Sequence, residues 1–134
     1  MSIGDGTEPV DRDESLYRRI PASTGWYSAS GGLSPRAFSP RPDDITGLSF
    51  ARSKYLSVEQ AARGSGKAGY YIAVLPVAKL LDAGLTVVPR PLPENPGHVE
   101  LIDLTYANRK SDASLGIMTS LAEKLTTDVQ GPFF

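Results

Sequence analysis

The chain holds one histidine and no cysteine, so the side chains able to do chemistry are few and can be taken singly. His98 could act as a general base, and Glu100, two positions on, shares its face in an extended strand and could orient it or act beside it. Both also read simply, as a hydrogen-bonded histidine after Pro96-Gly97 and a solvated strand carboxylate. Arg18 and Arg19 are adjacent, so a strand points them to opposite faces and aims one at the packed side or into a cleft. An arginine so placed needs a partner, and its planar fork suits carboxylate or phosphate. Arg18, Arg19 and Arg52 are therefore the candidates for holding an anionic cofactor, and Ser49 lies on a strand between them.

Much chemistry is excluded. A single histidine rules out a multi-histidine metal site, and the absence of cysteine rules out thiolate zinc, iron–sulfur clusters, cysteine nucleophiles and disulfides. No Gly-x-Ser-x-Gly elbow marks a nucleophilic serine, and Asp43 and Asp44 are neighbours in a turn rather than carboxylates converging on a cleft. Gly64-Ser65-Gly66-Lys67 has the letters of a phosphate loop, but it follows a helix and leads into a strand, the reverse of what such a loop requires. A net charge of −1 gives no field for holding nucleic acid or an anionic membrane. No apolar run approaches the roughly 18 residues of a membrane helix, and the first residues are acidic where a signal peptide would be basic. A cytoplasmic location is expected.

The elements that must position these residues follow from pattern and punctuation. At 134 residues, 40% of them hydrophobic, the chain fits one core. Residues 1–13 read as an acidic, flexible N-terminal arm, and residues 14–134 as a single domain. Met1 to Glu14 carries a net charge of −4 and Ser15 to Lys54 a net charge of +4, so the arm is either a solvated tail or a lid folded over a basic cleft. Strands are expected over Leu16–Ile20, Gly47–Arg52, Tyr70–Pro76, Leu85–Val88 and His98–Asp103, with Leu48, Phe50, Val99 and Leu101 inward and Ser49, with Arg52, on the exposed side. Pro35, Pro40 and Pro42 make an extended stretch, and the four prolines from Pro89 to Pro96 place a crossover at a sheet margin.

Ser57 and Gln60 form a capping box opening a short helix; a second short helix spans Val77–Ala83; Ser111 or Asp112 caps a C-terminal amphipathic helix whose stripe includes Leu115, Met118 and Leu121. The class is α+β, with a small mixed or mainly antiparallel sheet. Its expected core is Leu16, Ile20, Leu48, Phe50, Ile72, Val74, Leu80, Leu81, Val87, Val99, Leu101, Leu115, Met118 and Leu121.

In the order Arg18 on an early strand, Ser49 on a middle strand followed by a short helix, and Glu100 on a late strand, the chain resembles ADP-ribosyltransferases of the Arg–Ser–Glu type. That resemblance implies an Arg18 that grips the dinucleotide phosphates, a Ser49 strand that supports the nicotinamide pocket, a catalytic Glu100, with His98 beside it, and NAD as cofactor. It departs from the family in lacking the Ser-Thr-Ser run and the Glu-x-Glu pair, which here are Leu48-Ser49-Phe50 and His98-Val99-Glu100. Tyr17-Arg18-Arg19-Ile20, Ala37-Phe38-Ser39-Pro40, Gly47-Leu48-Ser49 and Pro96-Gly97-His98-Val99 together look like a set of small uncharacterised bacterial proteins, a likeness that implies a bacterial, single-domain chain and no activity. Without a complete catalytic constellation the leading expectation is an interaction or accessory protein, with no cofactor, another protein as partner, and a monomeric or weakly dimeric state. Trp26, Tyr27 and Phe38 are read either as its contact surface or as core. The NAD-dependent transferase, or related phosphate-transfer chemistry, is the alternative.

Overall fold

The alternating segments become strands of one six-stranded sheet in the computed structural model, which describes residues 5–134. In chain order they are β1 (Ser15–Pro21), β4 (Leu48–Arg52), β5 (Tyr70–Pro76), β6 (Val87–Pro89), β7 (His98–Leu101) and β8 (Asp128–Phe133), with a small hairpin of β2 (Tyr27–Ser28) and β3 (Gly32–Leu33) between the first two. The sheet order is β6-β7-β4-β1-β5-β8 and every pairing is antiparallel. Three helices complete the α+β domain: α1 (Val58–Ala61), α2 (Val77–Asp82) and α3 (Asp112–Ser120), the last continuing as a π-turn over Leu121–Leu125.

Register decides the faces, because directly opposed residues of an antiparallel pair project to the same side. Leu16, Ile20, Leu48, Phe50, Leu75, Val99 and Leu101 form one face and are buried beneath α3, its π-turn and a 3-10 turn at Pro35–Phe38. Phe38 has no exposed surface and stacks on Phe50 with ring centroids 6.4 Å apart, so of the three expected contact aromatics this one is core. The opposite face is covered only over β1, β5 and β8, where Ala61 and Ala62 of the α1 segment pack on Tyr70 and Ile72. Over β4 and β7 it stays open. The Ser57 capping box is present, with Ser57 and Gln60 each satisfying the other's backbone amide.

The glycines before β5 serve Tyr70. A Cβ on Gly64 would lie 2.6 Å from the Tyr70 ring, and the Gly66 amide donates to the Tyr70 hydroxyl at 2.8 Å, so an amide that a phosphate loop would offer to a ligand is engaged.

The structure departs from the sequence expectations at several places, and Val74, expected in the core, is half-buried on the opposite face against Tyr70 and Ile72. Leu115 is half exposed, because the inward stripe of the helix runs through Ser114, Met118, Leu121 and Leu125 and leaves Leu115 to one side. The sheet gains β8 at its margin, over Asp-Val-Gln-Gly-Pro-Phe. Arg52 sits on the buried face beside Leu16 with no exposed side-chain surface, which corrects both its assignment to the exposed side and its candidacy for a cofactor. All of its donors meet acceptors from residues 6–14. Nε and Nη2 pair with the two Glu14 oxygens at 2.9 and 2.8 Å, and Nη1 and Nη2 reach the carbonyls of Glu8, Pro9 and Gly6 at 3.0, 3.3 and 3.4 Å. Residues 5–13 of the expected arm thus lie against the domain, with Val10 on the core and Glu8 bound by Tyr55 and Lys54; the arm's first four residues lie outside the described residues.

Candidate functional site

The sheet is not closed throughout. β1 and β4 form ladder pairs only at Leu16–Arg52 and Tyr17–Ala51, although β1 runs on to Pro21 and β4 begins at Leu48. Beyond those two pairs the strands part, and a cleft of about 1020 Å³ opens between and above them. Arg18 stands in the split. It shares the parity of the buried Leu16 and Ile20, and no strand opposes it on this side. Its guanidinium crosses the gap, with Nη1 donating to the Ser49 carbonyl at 2.9 Å and Nε to the Ala37 carbonyl at 3.0 Å. The Phe50 ring lies 6.0 Å from it.

Among the described residues Arg18 has no carboxylate within 4.0 Å, and the ion pairs lie elsewhere, at Arg12, Arg52, Lys54 and Arg90. Burial pushes its pKa down to about 10, with the nearby Asp44 acting in the opposite direction and the charges of Arg41 and Arg19 adding to the fall. A half-buried cation held only by neutral carbonyls is the electrostatic feature of the cleft.

Three more arginines border it. Arg19, on the open face, donates to the Arg63 carbonyl and lies 4.7 Å over the Tyr70 ring. Arg63 closes the α1 segment, and Arg41 and Asp43 come from the loop leading to β4. Trp26, Tyr17 and Tyr70 supply aromatic surface. Four cations thus face two carboxylates, Asp43 and Glu94, in the lining. Ser49 also borders the cleft, but its hydroxyl donates to the buried Asp44 at 3.1 Å, and the other Asp44 oxygen accepts from the Arg41 amide at 2.7 Å. Ser49 is thereby a tether for the Arg41 loop.

The structure therefore brings together Arg18, Arg19, Ser49 and His98 and leaves out Glu100 and Arg52. His98 holds the Arg90 carbonyl through Nδ1 at 3.0 Å. Glu100 projects from the face opposite Arg18, and its Oε1 accepts from Thr46 Oγ1 at 2.6 Å and pairs with Arg90 Nε at 3.2 Å. The expected convergence of Arg18 with Glu100 on one cleft is not seen: Glu100 shares the face of Ser49 and His98, but its carboxylate is held by Thr46 and Arg90 outside the lining. Sequence reasoning missed Arg41 and Arg63 as members of the site. Arg41 belongs to the segment of net charge +4 and Arg63 to the end of the capping-box helix, but neither shows in sequence that it turns toward Arg18. No family model, curated protein or solved structure matches the chain.

Proposed function

We propose that the protein is a binding module rather than a catalyst, and that its split-sheet cleft holds a small ligand bearing a phosphate or carboxylate group. The observation that carries this reading is Arg18, a half-buried guanidinium held by two carbonyls and without a carboxylate partner, flanked by Arg19, Arg41 and Arg63. Its Nε and Nη1 are fixed by carbonyls, which pre-orients the fork, and an anion would offset the burial of its charge. Trp26 and Tyr17 offer stacking surfaces for a planar group next to the anion. The transferase alternative keeps Arg18 but finds no support in Glu100, which is engaged by Thr46 and Arg90.

Calorimetry with inorganic phosphate, ADP-ribose and NAD tests the reading. Saturable binding of at least one of these is expected, weakened about 10- to 100-fold in Arg18→Met, the loss expected for one charge-assisted hydrogen bond or two. Exposed Arg63→Ala gives a smaller loss with the fold intact, and Glu100→Gln leaves binding unchanged. Absence of binding up to millimolar concentration overturns the proposal. NAD turnover with nicotinamide release, abolished by Glu100→Gln, would instead establish the transferase.

A further inference from the structure

A second groove, of about 490 Å³, opens on the far side of Trp26, toward the helical layer. Its floor is apolar and includes Trp26, Pro40, Leu115 and Met118. Leu115 is 50% exposed, so the α3 stripe carries one large apolar side chain beyond the core and into this groove. Around the floor stand Arg36 and Arg41 from the proline segment and Arg109 and Lys110 from the turn before α3, and the lining contains no carboxylate. None of the four is in an ion pair among the described residues. In a chain of net charge −1, four cations around one apolar floor are a local concentration of a single sign.

The rim is also stiff. Pro35, Pro40 and Pro42 fix the backbone of one contributing segment, and Pro35 opens a 3-10 turn whose Arg36 amide is capped by the Ser34 hydroxyl. On the other segment Arg109 lies 3.6 Å over the Tyr106 ring and donates to the Tyr106 carbonyl at 2.6 Å, which holds its head in place. Little side-chain freedom is left there to lose on association.

We propose that this groove docks an acidic segment of a partner protein. A bulky apolar side chain of the segment seats against Trp26, Leu115 and Met118, and carboxylates before and after it meet the two pairs of cations. Charge complementarity selects the occupant's sign, and the floor selects its class. Leu115, Met118 and proline rings bury an aliphatic or aromatic anchor, whereas single-stranded nucleic acid calls for a row of aromatic platforms and finds only Trp26. The site does not depend on a ligand in the cleft beside Arg18, although Trp26, Ser39 and Arg41 border both.

Selection of a displayed random-peptide library on the immobilised full chain tests the proposal, followed by titration of the recovered peptide and of an oligothymidylate against Trp26 emission, the chain's sole tryptophan. Enriched sequences should carry Asp or Glu on both sides of a Leu, Ile, Phe or Trp. Binding should fall at least tenfold in the double variant Arg36→Glu with Lys110→Glu, and by a similar factor in Leu115→Asp, all three positions being exposed so that the fold is kept. Arg18→Met, which removes the other site's cation, should leave peptide affinity unchanged. Enrichment of basic or uncharged sequences, peptide affinity indifferent to the charge reversals, no enrichment over background, or oligothymidylate binding more tightly than the peptide would each overturn it.

Discussion

Replacing Glu14 by Gln keeps the shape of the Arg52 clamp and removes its charge. The two bonds between opposite charges, at 2.9 and 2.8 Å, are reduced to a single bond from the guanidinium to an uncharged amide oxygen, while the carbonyls of Gly6, Glu8 and Pro9 stay in place. Bonds to charged groups contribute ~1.5–3 kcal/mol each, and breaking one side of a buried pair costs ~3–5 kcal/mol. The retained carbonyls put Glu14→Gln at the lower end, about 3 kcal/mol, a large part of the ~5–15 kcal/mol that holds a domain together. In a chain of this size that lowers Tm by about 10 °C. Urea unfolding followed by Trp26 emission and far-UV dichroism should show the midpoint falling with the slope unchanged. As an internal comparison, Arg12→Ala breaks the Arg12–Asp82 pair, whose side chains are 56% and 67% exposed, and should cost under about 1 kcal/mol. The double variant Arg52→Met with Glu14→Leu should be more stable than either single variant, because no buried charge is left alone. A Glu14→Gln loss no larger than that of Arg12→Ala would refute the reasoning, since Arg52 would then not depend on its partner.

The same clamp sets an acid limit. Tyr55, ahead of Lys54 and Arg52, holds the Glu8 carboxyl down at about 2, and for Glu14 the bonds from Arg52 and Asp11 outweigh burial and keep it below 4.5. Both groups are depressed on folding, so their stabilisation is complete above about pH 5 and disappears as pH falls from 4.5 toward 2, which a pH series of urea midpoints will show, flattened in Glu14→Gln. Phe38→Ala should cost ~3–5 kcal/mol by thermal unfolding, as expected for a fully buried ring stacked on Phe50. Gly69→Ala should destabilise the junction of β5 and β8, because its φ of +81° disfavours a side chain and the new Cβ would lie 2.4 Å from the Phe133 carbonyl oxygen; hydrogen exchange of the β8 amides reads this directly.

The strands that alternate cleanly were legible in the sequence, and so were the helices with caps. Leu48-Ser49-Phe50 and Val99-Glu100-Leu101 carry their own periodicity, and Ser57 with Gln60 marks a helix start without any tertiary information. β8 was not legible, since Gly131-Pro132 within it reads as a break and a marginal strand needs little burial. Arg52 shows the deeper difficulty: its parity with Leu48 and Phe50 points inward and its charge points outward. The acceptors that resolve the conflict lie some 40 residues earlier in the chain, with Glu14 separated from it by 38 positions and Gly6 by 46. Leu115 belongs to an apolar stripe by spacing, but the face that turns inward passes through the polar Ser114, which an apolar pattern does not mark. The composition of the cleft was half legible in the same way. The adjacency of Arg18 and Arg19 marked one of them as turned toward the packed side or a cleft, whereas the parting of β1 from β4, which opens the cleft beside Arg18, is a matter of register that no local pattern encodes.

That parting gives the sheet four edges instead of two. β6 and β8 end it on the outside, and the stretches from Arg18 on β1 and up to Phe50 on β4 form two more in its middle. An open edge is a template for a stray strand, and an internal one offers two templates facing each other. Arg18 occupies the opening where an extended backbone would otherwise insert, and its guanidinium supplies to the Ser49 carbonyl a donor in place of the absent ladder. The charge on which the proposed ligand site rests is thus also placed where it opposes insertion of a stray strand. A neutral, short residue at position 18 should leave a chain that aggregates on concentration, even where its core remains folded.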